Sequence, residues 1–137
     1  HPFIINTSRG EVIDTGAILH ALNSKQIAGA VLDVWEHEPN INLELLDKVF
    51  IGTPHIAGYS ADGKANATRM VLEAFCRFFQ LPADFQITLP APDQSLFDAD
   101  EDIRTLQQYN PHRDCNSLRA QPALFEHLRG DYPLRRE

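Results

Sequence analysis

Long apolar runs and clusters of basic residues are missing from this sequence of 137 residues. No segment approaches the roughly 20 apolar residues that cross a bilayer, and the start at His1 has neither a basic region nor a cleavage site. The formal net charge of -7 argues against a surface that binds phosphate backbones. We therefore expect a cytoplasmic protein that binds neither membranes nor nucleic acid.

Cysteine is also scarce, since Cys76 and Cys115 are the two present. Two are too few for a disulfide framework, and both are expected to be reduced thiols. Cys76 falls in a helical apolar pattern and is predicted to lie in the core. His112 and Cys115 have a spacing that could begin a metal site, but no second ligand pair follows at a zinc-like spacing, so no metal is predicted.

The first half of the sequence alternates short apolar runs with amphipathic stretches, which is typical of βαβ units in an α/β fold with a parallel sheet. Strands are predicted over residues 3–5, 28–34 and 49–51, the first of them buried. A short helix capped by Asp14 is predicted between the first two strands, and another begins at Leu43.

The second half begins with a longer predicted helix over residues 60–79, where apolar side chains recur every three or four positions and mark one buried face. Prolines then predict an extended linker over residues 81–92. Short helices are predicted over residues 100–109 and 122–128, the second with Pro122 near its start.

Polar side chains follow each predicted strand. Arg9 follows the first, Asp33 and Glu38 follow the second, and His55 follows the third. Ligands of open α/β sheets bind outside the carboxyl ends of the strands. An arginine, two carboxylates and a histidine are therefore expected to converge on one edge of the sheet.

This set suits hydride transfer between a 2-hydroxy acid and a nicotinamide. The planar guanidinium of Arg9 can pair with a substrate carboxylate. His55 can take the hydroxyl proton, while Glu38 can orient the imidazole and stabilise its protonated form. Taken singly, these residues have ordinary alternatives, because Arg9 could be a surface charge and His55 a solvated residue of a Thr-Pro-His turn.

Three segments resemble the signatures of the D-isomer-specific 2-hydroxy-acid dehydrogenases in both order and spacing. They are residues 5–10 (INTSRG), 30–39 (AVLDVWEHEP) and 53–58 (TPHIAG). The resemblance implies that residues 1–82 are the distal half of a Rossmann-like NAD-binding domain, including its long crossover helix. Residues 83–137 would then be a linker and part of a small C-terminal α+β dimerisation domain.

The resemblance also implies the roles of the polar residues around the substrate. Arg9 would bind the substrate carboxylate and carbonyl, and His55 would be the acid/base. Glu38 would be the carboxylate partner of His55, whereas Glu36 would be a solvated neighbour. Tyr59, within a segment that is similar to family members acting on a phosphorylated 2-hydroxy acid, would contact the substrate through its hydroxyl; packing at the base of a loop is the alternative for Tyr59.

NAD is the cofactor that the resemblance implies, with Ser8, Asp33 and Gly58 as its contacts. Asp33 would accept a hydrogen bond from the nicotinamide carboxamide, and Gly58 would let the backbone approach the cofactor. For Asp33 the alternative is a strand-end carboxylate that caps the following turn. Segments 89–92 and 125–137 are similar to the dimerisation domain of the same members, which implies a homodimer.

The glycine-rich phosphate loop of a dinucleotide domain, Gly-x-Gly-x-x-Gly, does not occur in the sequence. We therefore expect a truncated piece of a parent enzyme that is inactive alone and that associates through an exposed sheet edge. Three other hypotheses stay open: another D-2-hydroxy-acid dehydrogenase of the phosphoglycerate, lactate or glyoxylate type, a noncatalytic dimerisation module, and an unrelated α/β domain that matches by chance.

Overall fold

The computed structural model describes residues 1–89, 91, 109–133, 135 and 136. Contacts divide the chain into two compact units. The first unit consists of His1–Ala57 and Asn110–Tyr132, and the second of Gly58–Tyr109 and Pro133–Glu137. The domain boundary that the sequence predicts at residue 82 stays a prediction.

The first unit is built on a parallel sheet of three strands in the order β1-β2-β3. The strands are β1 (Phe3–Asn6), β2 (Gly29–Leu32) and β3 (Ile51–Gly52). Because all three are parallel, their carboxyl ends share one edge of the sheet. The α/β prediction is confirmed, and each predicted strand is present with its ends displaced by at most two residues.

The described part of the chain also contains helices. They are α1 (Thr15–Asn23), α2 (Leu43–Lys48), α3 (Ala61–Phe79), α4 (Pro111–Ala120) and α5 (Phe125–Gly130), with short 3-10 turns at Gly10–Val12 and Pro122–Leu124. The predicted cap of the first helix is confirmed, since the Asp14 carboxylate accepts a hydrogen bond from the Ala17 amide at 2.7 Å. The short helix predicted from Leu43 is confirmed as α2.

The core of the first unit draws on the sheet and on helices from both ends of the chain. Its buried members are Ile18, Ala30, Leu32, Trp35, Ile41, Leu45, Leu46, Val49, Leu118 and Phe125. Leu118 on α4 and Phe125 on α5 have no exposed surface. Burying side chains of this size contributes on the order of 2 kcal/mol each, so the tail helices are part of the fold that carries the sheet.

Helix α4 is absent from the sequence prediction, although a local signal for it exists. Asn110 accepts a hydrogen bond from the His112 amide at 3.0 Å, and Pro111 occupies the first helical position. The predicted helix over residues 122–128 is found as a 3-10 turn followed by α5. The helix predicted over residues 100–109 lies outside the described residues except for Tyr109.

Helix α4 is held to α2 and to β3 by polar contacts as well as by apolar packing. The Arg119 guanidinium donates to the carbonyl of Val49 at 2.6 Å and to that of Leu46 at 3.3 Å. A cation at the carboxyl end of α2 also complements the helix dipole. The Cys115 thiol accepts a hydrogen bond from the Gly52 amide at 3.3 Å, so the tail reaches the strand that leads to His55.

Strand β1 is exposed, and its prediction as a buried strand is wrong. Phe3 is 54% exposed and Ile5 is 69% exposed. The two side chains lie on the same face because strand residues alternate between faces. The strand lies at the edge of the sheet, and the described residues do not cover this face.

Helix α3 dominates the second unit and begins at a Ser60 cap, whose hydroxyl accepts from the Gly63 amide at 2.9 Å. The helix is confirmed, but its predicted buried face is wrong, because Ala61 is its one fully buried residue. The exposed apolar side chains are Met70, Val71, Leu72, Phe75, Phe78 and Phe79. Cys76 is half-buried, so its prediction as a core residue is wrong as well.

The end of the chain also belongs to the second unit. The Ala61 amide donates to the Arg135 carbonyl at 2.7 Å, and the Arg136 guanidinium donates to the Asp62 carboxylate at 2.7 Å.

The structure shows helices and irregular chain, without a strand, in the described residues from 81 onward, namely 81–89, 91, 109–133, 135 and 136. The β part of the predicted α+β segment therefore stays a prediction. No helix in the described part of the chain is long and apolar enough to cross a membrane.

Candidate active site

His55 and Glu38 form a close pair beyond the carboxyl ends of β2 and β3. The His55 Nδ1 atom lies 2.7 Å from Glu38 Oε2, and the side chains are 21% and 16% exposed. The other carboxylate oxygen accepts a hydrogen bond from the Trp35 amide at 2.8 Å. This arrangement fixes the plane of the imidazole and leaves Nε2 for proton exchange with a ligand.

Arg9 lies in a loop that Asn6 shapes at the end of β1. The buried Asn6 amide donates to the Arg9 carbonyl at 2.9 Å, and its oxygen accepts from the Ser8 amide at 3.1 Å. Such local bonds are the usual way in which asparagine stabilises a turn after a strand. The Arg9 guanidinium itself is on the surface and donates to the Ser8 carbonyl at 2.6 Å.

One pocket of about 210 Å³ brings these groups together. It is lined by Arg9, Gly10, Glu11, Trp35, His37, Glu38 and His55. The structure therefore gathers Arg9, Glu38 and His55 around one cavity, as strand-end placement leads us to expect. A guanidinium opposite an oriented imidazole can bind a carboxylate and exchange a proton with a neighbouring hydroxyl.

Asp33 holds the turn that carries His55. Its side chain is 4% exposed and accepts three hydrogen bonds, from the Thr53 hydroxyl at 2.6 Å, the Ile56 amide at 2.8 Å and the Ala57 amide at 2.9 Å. Its carbonyl also accepts from the His55 amide at 2.7 Å. Asp33 thus caps the turn that follows β2. This is the structural role that the sequence allows for Asp33 as an alternative to a contact with the cofactor.

The Asp33 carboxylate can also fit the nicotinamide group that the resemblance implies. A carboxylate has about four acceptor positions, and three of those on Asp33 are occupied. One position remains for an amide donor, so the turn-capping role and a contact with the carboxamide are compatible. The cofactor role of Asp33 stays a prediction.

His55 has a left-handed backbone, with φ of 55°, and His37 has φ of 63°. Few residues other than glycine adopt this region, and histidine, asparagine and aspartate are the most frequent exceptions. In the His55 turn, the hydrogen bonds to Asp33 on both sides hold the backbone in this conformation. Backbone strain of this kind is concentrated at functional sites.

Glu36 lies beside the start of a helix, and its interpretation as a solvated neighbour stays a prediction. Its carboxylate accepts a hydrogen bond from the Thr15 amide at 2.6 Å. Thr15 is the first residue of α1, where unpaired amides and the helix dipole favour a negative charge. Hydrogen bonds from the Thr15 side chain and then from its backbone lower the pKa of Glu36 below its ordinary value of 4.5.

Glu36→Gln is expected to lower the thermal stability of the chain at neutral pH, because the charge at the start of α1 is lost. A lowered pKa in the folded state contributes stability above the ordinary value of 4.5, and that contribution disappears as the pH falls through the lowered pKa. The difference in melting temperature between the two proteins should therefore shrink in acid. Thermal melts across pH check this, with the exposed Glu11→Gln as control; a gap independent of pH would contradict it.

The remaining predicted contacts are Ser8, Gly58 and Tyr59. Ser8 is an exposed residue of the Arg9 loop. Gly58 (φ of 83°) and Tyr59 belong to the second unit, where the Lys64 ammonium lies 4.2 Å from the centre of the Tyr59 ring. The roles of Ser8, Gly58 and Tyr59 stay predictions. Among the residues that the structure describes, no group of three or more His, Cys, Asp or Glu side chains could hold a metal ion.

Three residues that shape the pocket are missing from the sequence prediction, namely Asn6, Trp35 and Thr53. Asn6 carries a recognisable signal, an asparagine directly after an apolar strand. Trp35 and Thr53 carry none, because a tryptophan among apolar residues indicates core packing and a threonine before proline indicates a turn. Their contacts join segments 18 to 20 positions apart, which local patterns do not encode.

Comparison with known proteins bears on the whole chain. Residues 1–57 match the family described as D-isomer specific 2-hydroxyacid dehydrogenase, NAD binding domain. The chain is 64% identical over 137 residues to a protein of Bacteroides thetaiotaomicron named erythronate-4-phosphate dehydrogenase, covering 99% of this chain and 39% of that protein.

Proteins of the same name in other bacteria are also similar. Identity is 63% over 135 residues in Bacteroides fragilis, covering 98% of this chain and 39% of that protein. It is 41% over 152 residues in Marinobacter nauticus, covering 98% and 40%. The chain therefore spans about two fifths of the length of the curated relatives that it matches.

Proposed function

We propose that the chain belongs to the D-isomer specific 2-hydroxyacid dehydrogenase family, whose NAD binding domain residues 1–57 match, and that it supplies the acid/base side of an active site that oxidises 4-phospho-D-erythronate to its 2-oxo acid with NAD. The observation that carries this proposal is the pocket in which Arg9 lies with the paired His55 and Glu38. The choice of substrate is supported by 64% identity to a protein named erythronate-4-phosphate dehydrogenase.

The chemistry follows from the orientation of His55. With Nδ1 held by Glu38 at 2.7 Å, Nε2 is the atom that accepts the proton of the substrate hydroxyl at carbon 2. The imidazolium that forms is stabilised by the Glu38 carboxylate, which accepts the Nδ1–H hydrogen bond. NAD, for which Ser8, Asp33 and Gly58 are the proposed contacts, would supply the acceptor for the hydride at carbon 2.

Arg9 performs the binding step in this proposal. Its planar guanidinium matches the two oxygens of a carboxylate. The bond to the Ser8 carbonyl is an exposed one that a ligand can replace. Binding the carboxylate at carbon 1 would bring the hydroxyl at carbon 2 toward His55, because the two groups are neighbours in the substrate.

Further parts of the proposal concern the whole protein. The name of the relatives, erythronate-4-phosphate dehydrogenase, says that they act on a phosphorylated substrate. We propose the same substrate class here, with Tyr59 contacting it and with Ser8, Asp33 and Gly58 contacting NAD. A homodimer and a role in vitamin B6 synthesis belong to the same proposal.

The test is a comparison of substrates with the complete product of the gene that encodes this sequence. NADH formation should be fastest with 4-phospho-D-erythronate, with kcat/KM at least about a hundredfold above that for D-erythronate. Loss of a doubly charged group that a site binds through charged hydrogen bonds has effects of this order.

D-lactate and 3-phospho-D-glycerate are the matched alternatives in this assay. Equal or greater kcat/KM with either of them would assign the protein to another activity of the same family. Absence of NADH formation with every one of these 2-hydroxy acids would refute the proposed reaction.

A further inference from the structure

Trp35 lies directly after β2, between the three loops that line the pocket. Its side chain is 4% exposed and belongs to the apolar core of the first unit. Core packing alone would be satisfied by any large apolar ring. The Trp35 indole N–H makes one further contact, however, and the Trp35 backbone makes two, so that residue 35 reaches the His55 loop, Glu38 and the Arg9 loop.

The first contact is with the loop that carries His55. The Trp35 indole Nε1–H donates to the Thr53 carbonyl at 3.0 Å, and this bond is buried. The ring also packs closely on Gly52, where an added Cβ atom would lie 2.8 Å from it. The indole therefore fixes the chain two residues before His55 by both shape and hydrogen bonding.

The second contact is with Glu38. The Trp35 amide donates to Glu38 Oε1 at 2.8 Å, while Glu38 Oε2 lies 2.7 Å from His55 Nδ1. One carboxylate thus bridges the Trp35 backbone and the imidazole. A movement of the Trp35 backbone would therefore shift the Glu38 carboxylate and change the orientation of the His55 imidazole.

The third contact is with the loop that carries Arg9. A Cβ atom added to Gly10 would lie 2.0 Å from the Trp35 carbonyl oxygen. The two backbones can approach this closely only because residue 10 is glycine. Gly10, the residue after Arg9, therefore packs against the backbone of Trp35.

From these contacts we propose that Trp35 is a positioning residue for the reaction. It holds the loops of Arg9, Glu38 and His55 in fixed positions relative to one another, and its indole N–H bond to Thr53 fixes the geometry of the Glu38–His55 pair. This inference rests on the proposed function for its effect on turnover. Its structural content, the dependence of the His55 pairing on the indole N–H, can be tested without any substrate.

The experiment removes the hydrogen-bond donor while keeping the ring. The sequence contains a single tryptophan, so incorporation of benzothienylalanine in place of tryptophan changes Trp35 alone and exchanges the N–H for sulfur. Trp35→Phe is the second variant, which also lacks the donor. Ile18→Val, at a buried position of the same core on α1, is the control for loss of packing alone.

The readout is the Nδ1–H proton of His55 in the chain, observed by NMR. A proton held between an imidazole and a carboxylate at 2.7 Å should be strongly deshielded and slow to exchange. Both Trp35 variants should accelerate its exchange with water by at least about tenfold, while Ile18→Val should leave it unchanged in the folded protein. In the complete gene product, Trp35→Phe should lower kcat roughly ten- to hundredfold with a smaller change in KM, because misplacement of catalytic groups has this effect.

An unchanged His55 proton in the benzothienylalanine protein would overturn the proposal and leave Trp35 as a core residue only. Acceleration by the same factor in Ile18→Val would overturn it too, since packing would then explain the effect. If the NMR result holds while the complete protein shows no turnover of 4-phospho-D-erythronate, the proposed function fails and the positioning role stands.

Discussion

Replacement of His55 by asparagine is expected to lower kcat/KM of the complete gene product by about 10²–10⁴-fold, which is the usual contribution of a positioned acid or base. His55 Nδ1 is held by Glu38 at 2.7 Å, so that Nε2 is the atom left to exchange a proton. An asparagine amide cannot accept a proton near neutral pH. The rate of NADH formation with saturating and limiting 4-phospho-D-erythronate measures the loss.

Asparagine is chosen because the backbone at this position has φ of 55°, a region that asparagine tolerates and alanine does not. A loss of activity can therefore be assigned to the missing imidazole instead of a misfolded turn. His37→Asn is the matched control, because His37 has φ of 63° and lines the same pocket but forms no bond to Glu38 in the described residues. Its effect should be less than tenfold.

A His55→Asn protein within tenfold of the unmodified one would contradict the acid/base role. Equal losses in His55→Asn and His37→Asn would also contradict it, because the pocket would then require two imidazoles for binding instead of one for proton transfer. The melting temperatures of both variants should stay close to that of the parent, which excludes unfolding as the cause.

The convergence of Arg9, Glu38 and His55 could be predicted from the sequence for a physical reason. Apolar runs of strand length mark β1, β2 and β3, and parallel strands place their carboxyl ends at one edge. Residues that follow the runs must then lie near one another, whatever the details of the loops. Distances within the pocket do not follow from this argument, and the sequence gives no sign that Glu38 bridges His55 and the Trp35 amide.

The sequence prediction fails for the solvent exposure of the apolar side chains on β1 and α3. The apolar pattern of Phe3 and Ile5 indicates a strand with a buried face, and that of Met70 and Phe78 a helix with one. A pattern reports which side chains avoid water but does not identify the surface that covers them. In the structure Phe78 is 80% exposed and Ile5 is 69% exposed, because the described residues supply no element against those faces.

Glu36 has a partner that the sequence does not reveal. Two glutamates flank His37, and the resemblance assigns a role to Glu38 alone. The structure gives Glu36 its own partner at the start of α1, the Thr15 amide 21 residues earlier in the chain. Each carboxylate therefore has its own partner: Glu38 pairs with the His55 imidazole, and Glu36 accepts a hydrogen bond at the start of α1. A pairing across this distance depends on the packing of α1 beside the sheet, which no local pattern contains.

Asp33→Ala is expected to cause the largest loss of stability, at least about 3 kcal/mol in the free energy of unfolding, because each buried donor left without a partner costs about 1–3 kcal/mol. Its carboxylate accepts from Thr53, Ile56 and Ala57 at 2.6 to 2.9 Å while only 4% exposed. Denaturant unfolding of the chain gives the value. Asp47→Ala, at an exposed aspartate on α2, is the control and should change stability by less than about 0.5 kcal/mol.

Asp33→Asn separates the structural role of this residue from its charge. The amide keeps one oxygen for two of the three donors but turns an N–H₂ group toward a backbone amide, so a smaller loss than in Asp33→Ala is expected. The His55 turn has two anchors, the Asp33 carboxylate on one side and the Trp35 indole on the other. If Asp33→Ala were as stable as Asp47→Ala, the turn would depend on Trp35 alone, and the left-handed backbone of His55 would need no carboxylate to hold it.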